Sequence, residues 1–346
     1  MKSVLLLTMG DPAGIGPEVT VKALAHAEAY AGCIPVVVGD RLPIEDAIRF
    51  TGSKLKLRII KNPEEAQGEA GTLELLDIEK LPPSAYVPGR VSAPCGDAAF
   101  EYVTRAIKLS MQGKAAGVVT APINKEALHL AGHSYSGHTE IFADLTNTND
   151  YAMLLMSGNL RVIHVTTHVS MREACDLITK ERVHKTILLA HEALKMLGMP
   201  NGKIAVAGLN AHSSENGLFG SEEADAIIPA IEQAKSEGID ADGPVPPDTV
   251  FVKAAGKMYD IVVAMYHDQG HIPLKLYGFK MDPATGLFTS MSGINTTIGL
   301  PIIRTSVDHG TAFDRAGKNT ANEMSMLEAI TTAVKMIPYY EGKRNG

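Results

Sequence analysis

The chain has 346 residues, which is long for a single hydrophobic core and predicts two domains or lobes. Its composition, with 45% hydrophobic and 21% charged residues, is that of an ordinary globular protein, and a net charge of −7 without a long basic run argues against a nucleic-acid partner. The three cysteines are widely spaced and the apolar N-terminal run is too short to span a membrane, so we expect a cytoplasmic protein with free thiols.

The first predicted strand, Val4 to Thr8, leads into a glycine-rich loop and then a helix that extends to about Tyr30. The loop places its glycines at Gly10, Gly14 and Gly16, a spacing that does not fit the GxGxxG pattern of a dinucleotide-binding domain. The next predicted elements are strands at 34–38 and 55–60, a helix at 46–50, loops with short strands over 61–96, a helix at 98–111 and a strand at 117–121.

A helix is predicted to begin near Gly137, where His138 and Thr139 can present hydrogen-bond donors to an anion; a plain helix cap is the alternative. Strands 150–157 and 160–167 are predicted to form a hairpin, followed by a long helix interrupted near Thr179. The remaining predicted elements are strand 203–209, helix 222–237, a stiff loop at 243–248 that places Asp248 just before a helix, strand 260–266, an irregular segment at 277–292, strand 302–306, a turn at 308–312 and helix 322–336.

Three apolar, strand-like runs each end at or near a histidine: His168, His212 and His267. Strands and helices alternate along the chain, which is typical of an α/β protein with mostly parallel sheets, and such sheets build their sites at the carboxyl ends of strands. A single histidine there is more often a hydrogen-bonded structural residue, but three of them predict one metal site. Three imidazole ligands leave a coordination position open for a substrate.

Four stretches carry a family resemblance: Met9–Glu18, Gly137–Glu140, Tyr266–Gly270 and Ile303–Ala312. Together they resemble the 4-hydroxythreonine-4-phosphate dehydrogenases of the pyridoxal phosphate pathway, and the first and last are also similar to isocitrate and isopropylmalate dehydrogenases. The resemblance implies two α/β lobes around a central cleft and not a standard Rossmann domain. Residues 1–135 with 300–346 would form the cofactor-side lobe, and residues 136–299 the metal-binding and dimerisation lobe.

The resemblance also implies roles for individual residues. One divalent ion (zinc, cobalt, magnesium or manganese) would be held by His168, His212 and His267. The substrate would be bound by His138, Thr139, Lys275, Asn295 and Arg304. NAD would lie along His309, Gly310, Thr311, Ala312 and Asn322, in a homodimer whose active site takes residues from both subunits. The candidate general bases are Asp248, Asp268 and Lys275, and Asp268 could instead orient His267.

The implied reaction is the NAD- and metal-dependent oxidation of the C3 hydroxyl of a 4-phosphorylated four-carbon acid, followed by decarboxylation. An insertion at roughly Asp282 to Met291 and the sequence Gly270-His271-Ile272 are similar to a branch acting on 4-phospho-D-threonate or 4-phospho-D-erythronate, which would yield dihydroxyacetone phosphate and CO2. Two alternatives stay open: a dihydrodiol-carboxylate dehydrogenase, and a non-catalytic, metal-dependent sugar-acid binding protein.

Overall fold

The computed structural model describes residues 2–284 and 288–345. The chain divides into two compact units, the first formed by residues 1–149 and 300–346 and the second by residues 150–299. The helix His138–Leu145 therefore lies in the first unit, whereas the sequence-based division assigned residues from 136 onward to the other lobe.

The strands of the described residues are β1 (Ser3–Thr8), β2 (Cys33–Gly39), β3 (Lys56–Ile60), β4 (Thr72–Asp77), β5 (Gly117–Thr120), β6 (Ala152–Ser157), β7 (Leu160–His164), β8 (Ile204–Ala207), β9 (Ala241–Val245), β10 (Ile261–Ala264), β11 (Phe279–Met281), β12 (Phe288–Met291), β13 (Ile294–Ile298) and β14 (Ile303–Val307). The α-helices are α1 (Gly16–Leu24), α2 (Arg41–Thr51), α3 (Ala93–Met111), α4 (Lys125–Leu130), α5 (His138–Leu145), α6 (Met171–Asp176), α7 (Lys180–Met196), α8 (Ile228–Ser236), α9 (Pro247–Ala255), α10 (His267–Gly278) and α11 (Met324–Asn345). Among the described residues, no helix is both long enough and apolar enough to cross a bilayer.

In the first unit the strands follow the order β3-β4-β2-β1-β5-β14, and every neighbouring pair is parallel. Leu5, Leu6 and Leu7 of β1 are fully buried, as expected of a parallel strand covered on both faces. At their carboxyl ends, β1, β5 and β14 lead into the glycine-rich loop, the segment beginning at Ala121, and the turn that contains His309. These three loops therefore meet at one edge of the sheet.

In the second unit the order is β13-β6-β7-β10-β8-β9, with β6 antiparallel to β13 and β7. Strands β7, β10 and β8 are adjacent and parallel. They are the strands that precede His168, His267 and His212, so the prediction that three histidine-bearing strands end at one edge of a sheet is confirmed. The α/β class with mostly parallel strands is confirmed as well.

Among the differences between the local predictions and the structure, three concern β-strands that were predicted as loops or irregular segments. Strand β4 is a full strand between β3 and β2, where short strands in loops were expected. Strand β9 contains Gly243 and Pro244 and was predicted as a loop; a proline is tolerated there because β9 is the last strand of its order. The segment predicted as irregular contains β11 and β12, which pair antiparallel, so the proposed insertion contributes one strand, β12, to a two-stranded ribbon.

Candidate active site

An open cavity of about 480 Å³ in the second unit is lined by His168, His267 and Asp268. The centroids of the two imidazole rings are 6.0 Å apart. A ligating ring nitrogen lies about 2.1 Å from a metal, so the centroids of two rings on one ion should be about 5 to 6.5 Å apart. The spacing of His168 and His267 therefore fits two ligands of a single ion.

The third predicted ligand, His212, is exposed and begins an unusual turn. Five consecutive non-glycine residues, His212 to Asn216, have φ angles of 51°, 56°, 68°, 47° and 57°. Each costs roughly 1 to 2 kcal/mol, so the surrounding structure must hold the turn in place. The described residues contain no group of three or more His, Cys, Asp or Glu side chains that could hold a metal. A single chain thus brings together His168 and His267 but does not add His212 to them.

Carboxylates lie beside two of the predicted ligands. Nδ1 of His267 is 2.7 Å from Oδ1 of Asp268, and Nδ1 of His212 is 2.8 Å from Oε1 of Glu215. A carboxylate in this position keeps the proton on Nδ1 and leaves Nε2 available to a metal, which is the usual arrangement around metal-binding histidines. The donor set therefore fits a divalent ion.

Sequence reasoning missed two histidines beneath this site. The ring of His271 stacks on that of His267 with centroids 3.6 Å apart, and the ring of His164 lies 4.8 Å from that of His271. Burial lowers the pKa of His271 to about 4 and that of His164 to about 3, so both rings are neutral at neutral pH. The available signal was the four-residue spacing of His267 and His271, which places both on one helix face.

In the first unit, the predicted substrate residue Arg304 lies in β14 and is only 3% exposed. Its Nη2 donates to Oγ1 of Thr120 at 3.3 Å, and its guanidinium carbon is 5.8 Å from the ring centroid of Phe142. Burial lowers the pKa of Arg304 to about 9, partly offset by the negative charge of Glu140, so the group stays protonated at neutral pH. A buried guanidinium is a strong binding group for a carboxylate or a phosphate.

The N-terminus of α5 lies near this guanidinium. His138 is the first residue of α5, and burial, followed by the positive charge of Arg304, lowers its pKa well below the usual value. Its Nε2 is buried and has no hydrogen-bond partner among the described residues. Gly137 occupies the cap position and Thr139 lies inside the first turn, so no side chain caps this helix. The N-terminal N–H groups and His138 are therefore suited to an anion.

The glycine-rich loop and the His309–Ala312 turn fit closely together. Ile15 N–H donates to Thr311 O at 3.0 Å, and a Cβ added at Gly14 would lie 3.0 Å from the Thr311 side chain. Nε2 of His309 is buried, again without a partner in the described part of the chain. A backbone cradle with an unpartnered imidazole nitrogen fits a polar cofactor such as NAD.

Four other predicted site residues are less enclosed. Asp248 is exposed in the first turn of α9, and Lys275 is exposed on α10 with its Nζ 5.9 Å from the ring centroid of Phe279. Asn295 is half-buried in β13, opposite Leu155. Asn322 is exposed, and its Oδ1 accepts a hydrogen bond from the Met324 N–H at the start of α11.

Asp11, in the glycine-rich loop, was not predicted as a site residue. It is fully buried; Oδ1 accepts from the Ala13 N–H at 2.9 Å, and Oδ2 has no partner within the described ranges. Burial raises the pKa of Asp11 to about 6. A carboxylate held in this way is characteristic of functional sites, and the Gly-Asp-Pro sequence at a strand end was the signal for it.

Comparison with known proteins decides the family. The family model described as "Pyridoxal phosphate biosynthetic protein PdxA" matches residues 31–333. The chain belongs to the PdxA family. Two similar relatives are named D-threonate 4-phosphate dehydrogenase: one from Cupriavidus necator is 48% identical (96% of this chain and 97% of that protein covered), and one from Pectobacterium atrosepticum is 46% identical (97% and 100% covered).

A solved structure is also similar to this chain over nearly its full length. The 4-hydroxythreonine-4-phosphate dehydrogenase from Klebsiella pneumoniae is 46% identical, with 97% of this chain and 98% of that chain covered and a TM-score of 0.84. Relatives across the full length are thus named dehydrogenases, and this member of the family is an oxidoreductase.

Proposed function

We propose that this protein is an NAD-dependent, divalent-metal-dependent dehydrogenase of D-threonate 4-phosphate. The C3 hydroxyl would be oxidised and the carboxyl group lost, so that the acid and NAD give dihydroxyacetone phosphate, CO2 and NADH. The observation that carries the proposal is the cavity lined by His168 and His267, at the carboxyl ends of adjacent strands, in a chain whose similar relatives are named for that substrate.

His168, His212 and His267 would hold the metal, with Asp268 and Glu215 fixing two of the rings through Nδ1. A divalent ion so held supplies Lewis acidity to the oxygen atoms of the substrate. Because one chain brings together only two of these rings, we propose that association of two copies completes the ligand set. The exposed apolar side chains of α10 support a homodimer: Ile272 is 64% and Leu276 is 82% exposed on the helix that begins with His267.

A substitution at this helix tests the dimer. Leu276→Glu should convert a dimer to monomers in light scattering coupled to size exclusion and should abolish turnover, whereas a charge at the exposed Val252 of α9, introduced as Val252→Glu, should leave the mass unchanged. A monomeric wild-type protein that turns over normally would refute the shared site.

Arg304 and His138 would bind an anionic end of the substrate, with Thr120 fixing the guanidinium and the N-terminus of α5, including Thr139, adding donors. Lys275 and Asn295 would contribute further polar contacts from α10 and β13. NAD, which accepts the hydride, would lie along residues 309–312 and Asn322 beside the glycine-rich loop.

Three residues are candidates for taking the hydroxyl proton. Asp268 lines the cavity, but it already accepts from His267, which suits an orienting role. Lys275 and Asp248 are exposed and keep their roles as candidate bases. The pH–rate profiles of Asp268→Asn, Lys275→Met and Asp248→Asn separate them, because removal of the base deletes the limb of the profile that reports it.

The deciding experiment follows NADH formation with D-threonate 4-phosphate, D-erythronate 4-phosphate and 4-hydroxythreonine 4-phosphate side by side, with and without a chelator. We expect the highest kcat/KM with D-threonate 4-phosphate and its loss on chelation. NADH formation from an unphosphorylated dihydrodiol carboxylate alone would favour the dihydrodiol enzyme. Binding of the acids without NADH formation would favour the binding protein.

A further inference from the structure

Gln269, in the first turn of α10, joins the ends of two adjacent strands. The side chain is 7% exposed; its Oε1 accepts from the Met265 N–H at 2.6 Å, and its Nε2 donates to Gly208 O at 2.8 Å. One partner can only donate and the other can only accept, so the orientation of the amide is unambiguous. Met265 follows β10 and leads to His267, while Gly208 follows β8 and leads to His212.

The amide acts where the backbone pairing stops. Strands β8 and β10 are in register from Ile204 opposite Ile261 to Val206 opposite Val263, and no pairing of these strands is described beyond that point. Beyond that pair, the side-chain amide of Gln269 supplies the donor and the acceptor that a paired backbone would otherwise provide. The two strand ends are therefore held together up to the loops that carry the histidines.

A second buried side chain, Glu223, holds the next two residues of the β8 loop. Its Oε1 accepts from the N–H groups of Leu209 and Asn210, both at 2.8 Å, and its Oε2 accepts from Asn210 Nδ2 at 2.8 Å. Glu223 is 1% exposed and begins a single π-helical turn, Glu223–Ile227, a feature common at functional sites. Residues 208–210 are thus fixed directly before the left-handed turn of His212.

We propose that Gln269, supported by Glu223, is a positioning residue that fixes the two strand ends leading to His212 and to His267, each in the ion site to which its chain contributes, and so determines divalent-ion affinity. The proposal rests on the proposed metal site. Gln269 does not reach the ion; it acts through the backbone of Gly208 and Met265. The turn that begins at His212 needs such an anchor, because left-handed φ angles are unfavourable for residues other than glycine.

The test titrates the apo form of the full-length protein with Co²⁺ and follows both affinity and the visible absorption of the bound ion, which reports its geometry. We expect Gln269→Leu to lower Co²⁺ affinity by about 10- to 100-fold and to change the spectrum, as loss of residues that orient metal ligands does. In the steady state, kcat should fall while the KM for NAD stays unchanged. Gln269→Glu keeps the shape and the acceptor but turns a carboxylate oxygen towards the Gly208 carbonyl in place of the N–H donor, so it should also lower Co²⁺ affinity, and it decides the matter if the leucine variant does not fold.

Leu274→Ala is the matched control, because Leu274 is fully buried in the same helix but contacts neither strand end through a polar group. It should unfold at a lower denaturant concentration than the wild type and keep its Co²⁺ affinity and spectrum. Wild-type affinity and spectrum in a folded Gln269 variant, or an equal loss in Leu274→Ala, would overturn the proposal. Unchanged Co²⁺ binding in His212→Ala would instead refute the metal site itself, so the two failures are distinguishable.

Discussion

Arg304 of the first unit and the exposed histidines of the second unit are held in place in opposite ways. In the first unit Arg304 is buried in β14, whereas in the second unit His168 and His212 are exposed. A buried cation is fixed by the surrounding core at a cost in desolvation, while an exposed imidazole is fixed by a carboxylate on one nitrogen and by the backbone that carries it. The proposed anion site is therefore preorganised in one chain, whereas the proposed metal site depends on loop geometry and on what binds there.

The largest effect should come from a substitution of one of the exposed histidines. His212→Ala should leave the fold intact, strip the metal and lower kcat by about 10³-fold or more, since one of three ligands is lost. Metal content and NADH formation measure it, and His184→Ala is the control, because His184 also pairs with a glutamate, Glu237, on the surface of the same unit. Near-normal activity of His212→Ala after chelator treatment would remove this residue from the site.

A substitution of the buried Arg304 should lower activity without lowering stability. Arg304→Met should lower kcat/KM for the phosphorylated acid by about 10²- to 10³-fold, because a charge-assisted contact is lost, while the unfolding free energy stays equal or rises as a buried charge is removed. Arg161→Met is the control, since the half-buried Arg161 donates to the Asp260 carbonyl at 3.1 Å outside the anion site. If the Arg304→Met variant were active but unstable, the guanidinium would have a structural role and not a substrate-binding role.

Burial of the Asp11 carboxylate should make the free energy of unfolding depend on pH. The pKa of Asp11 is raised by burial from 3.8 to about 6, so its favourable contribution is present below about pH 4 and is lost as the pH rises through about 6. Asp11→Asn should then gain about 1 to 3 kcal/mol of unfolding free energy near pH 7 and little near pH 4, measured by denaturant titration. The exposed Asp225→Asn should change neither value; equal behaviour of the two variants would contradict the assignment.

The smallest effect concerns the strained turn. Ser213→Gly should raise the unfolding free energy by about 1 kcal/mol, because glycine adopts the φ of 56° without strain and the buried hydroxyl has no partner among the described residues. Ser214→Gly removes the same kind of strain but also the hydrogen bond that Ser214 Oγ accepts from the Gly217 N–H at 3.2 Å, so its gain should be near zero. Destabilisation by Ser213→Gly would show that the turn is not strained.

Periodicity and turn residues predicted the elements that bury a continuous apolar face. The break of the long helix near Thr179 is confirmed, with α6 ending at Asp176 and Thr179 capping α7 through a hydrogen bond from the Arg182 N–H. Strand β9 was missed because Gly243 and Pro244 indicate a loop unless the edge position is known. The left-handed run from His212 was missed because no glycine marks it, so only its surroundings can hold it.

Sequence alone was enough to predict the α/β class and the three strand ends that carry histidines, because apolar runs and polar strand ends are local properties of the chain. The family followed from the resemblance of four motifs. The folded structure was needed to show that β7, β10 and β8 are neighbours, that Gln269 joins two of them, and that Arg304 is buried beside Thr120. Those outcomes depend on contacts between residues far apart in the chain. Desolvation and strand order arise from such contacts, and no local pattern encodes them.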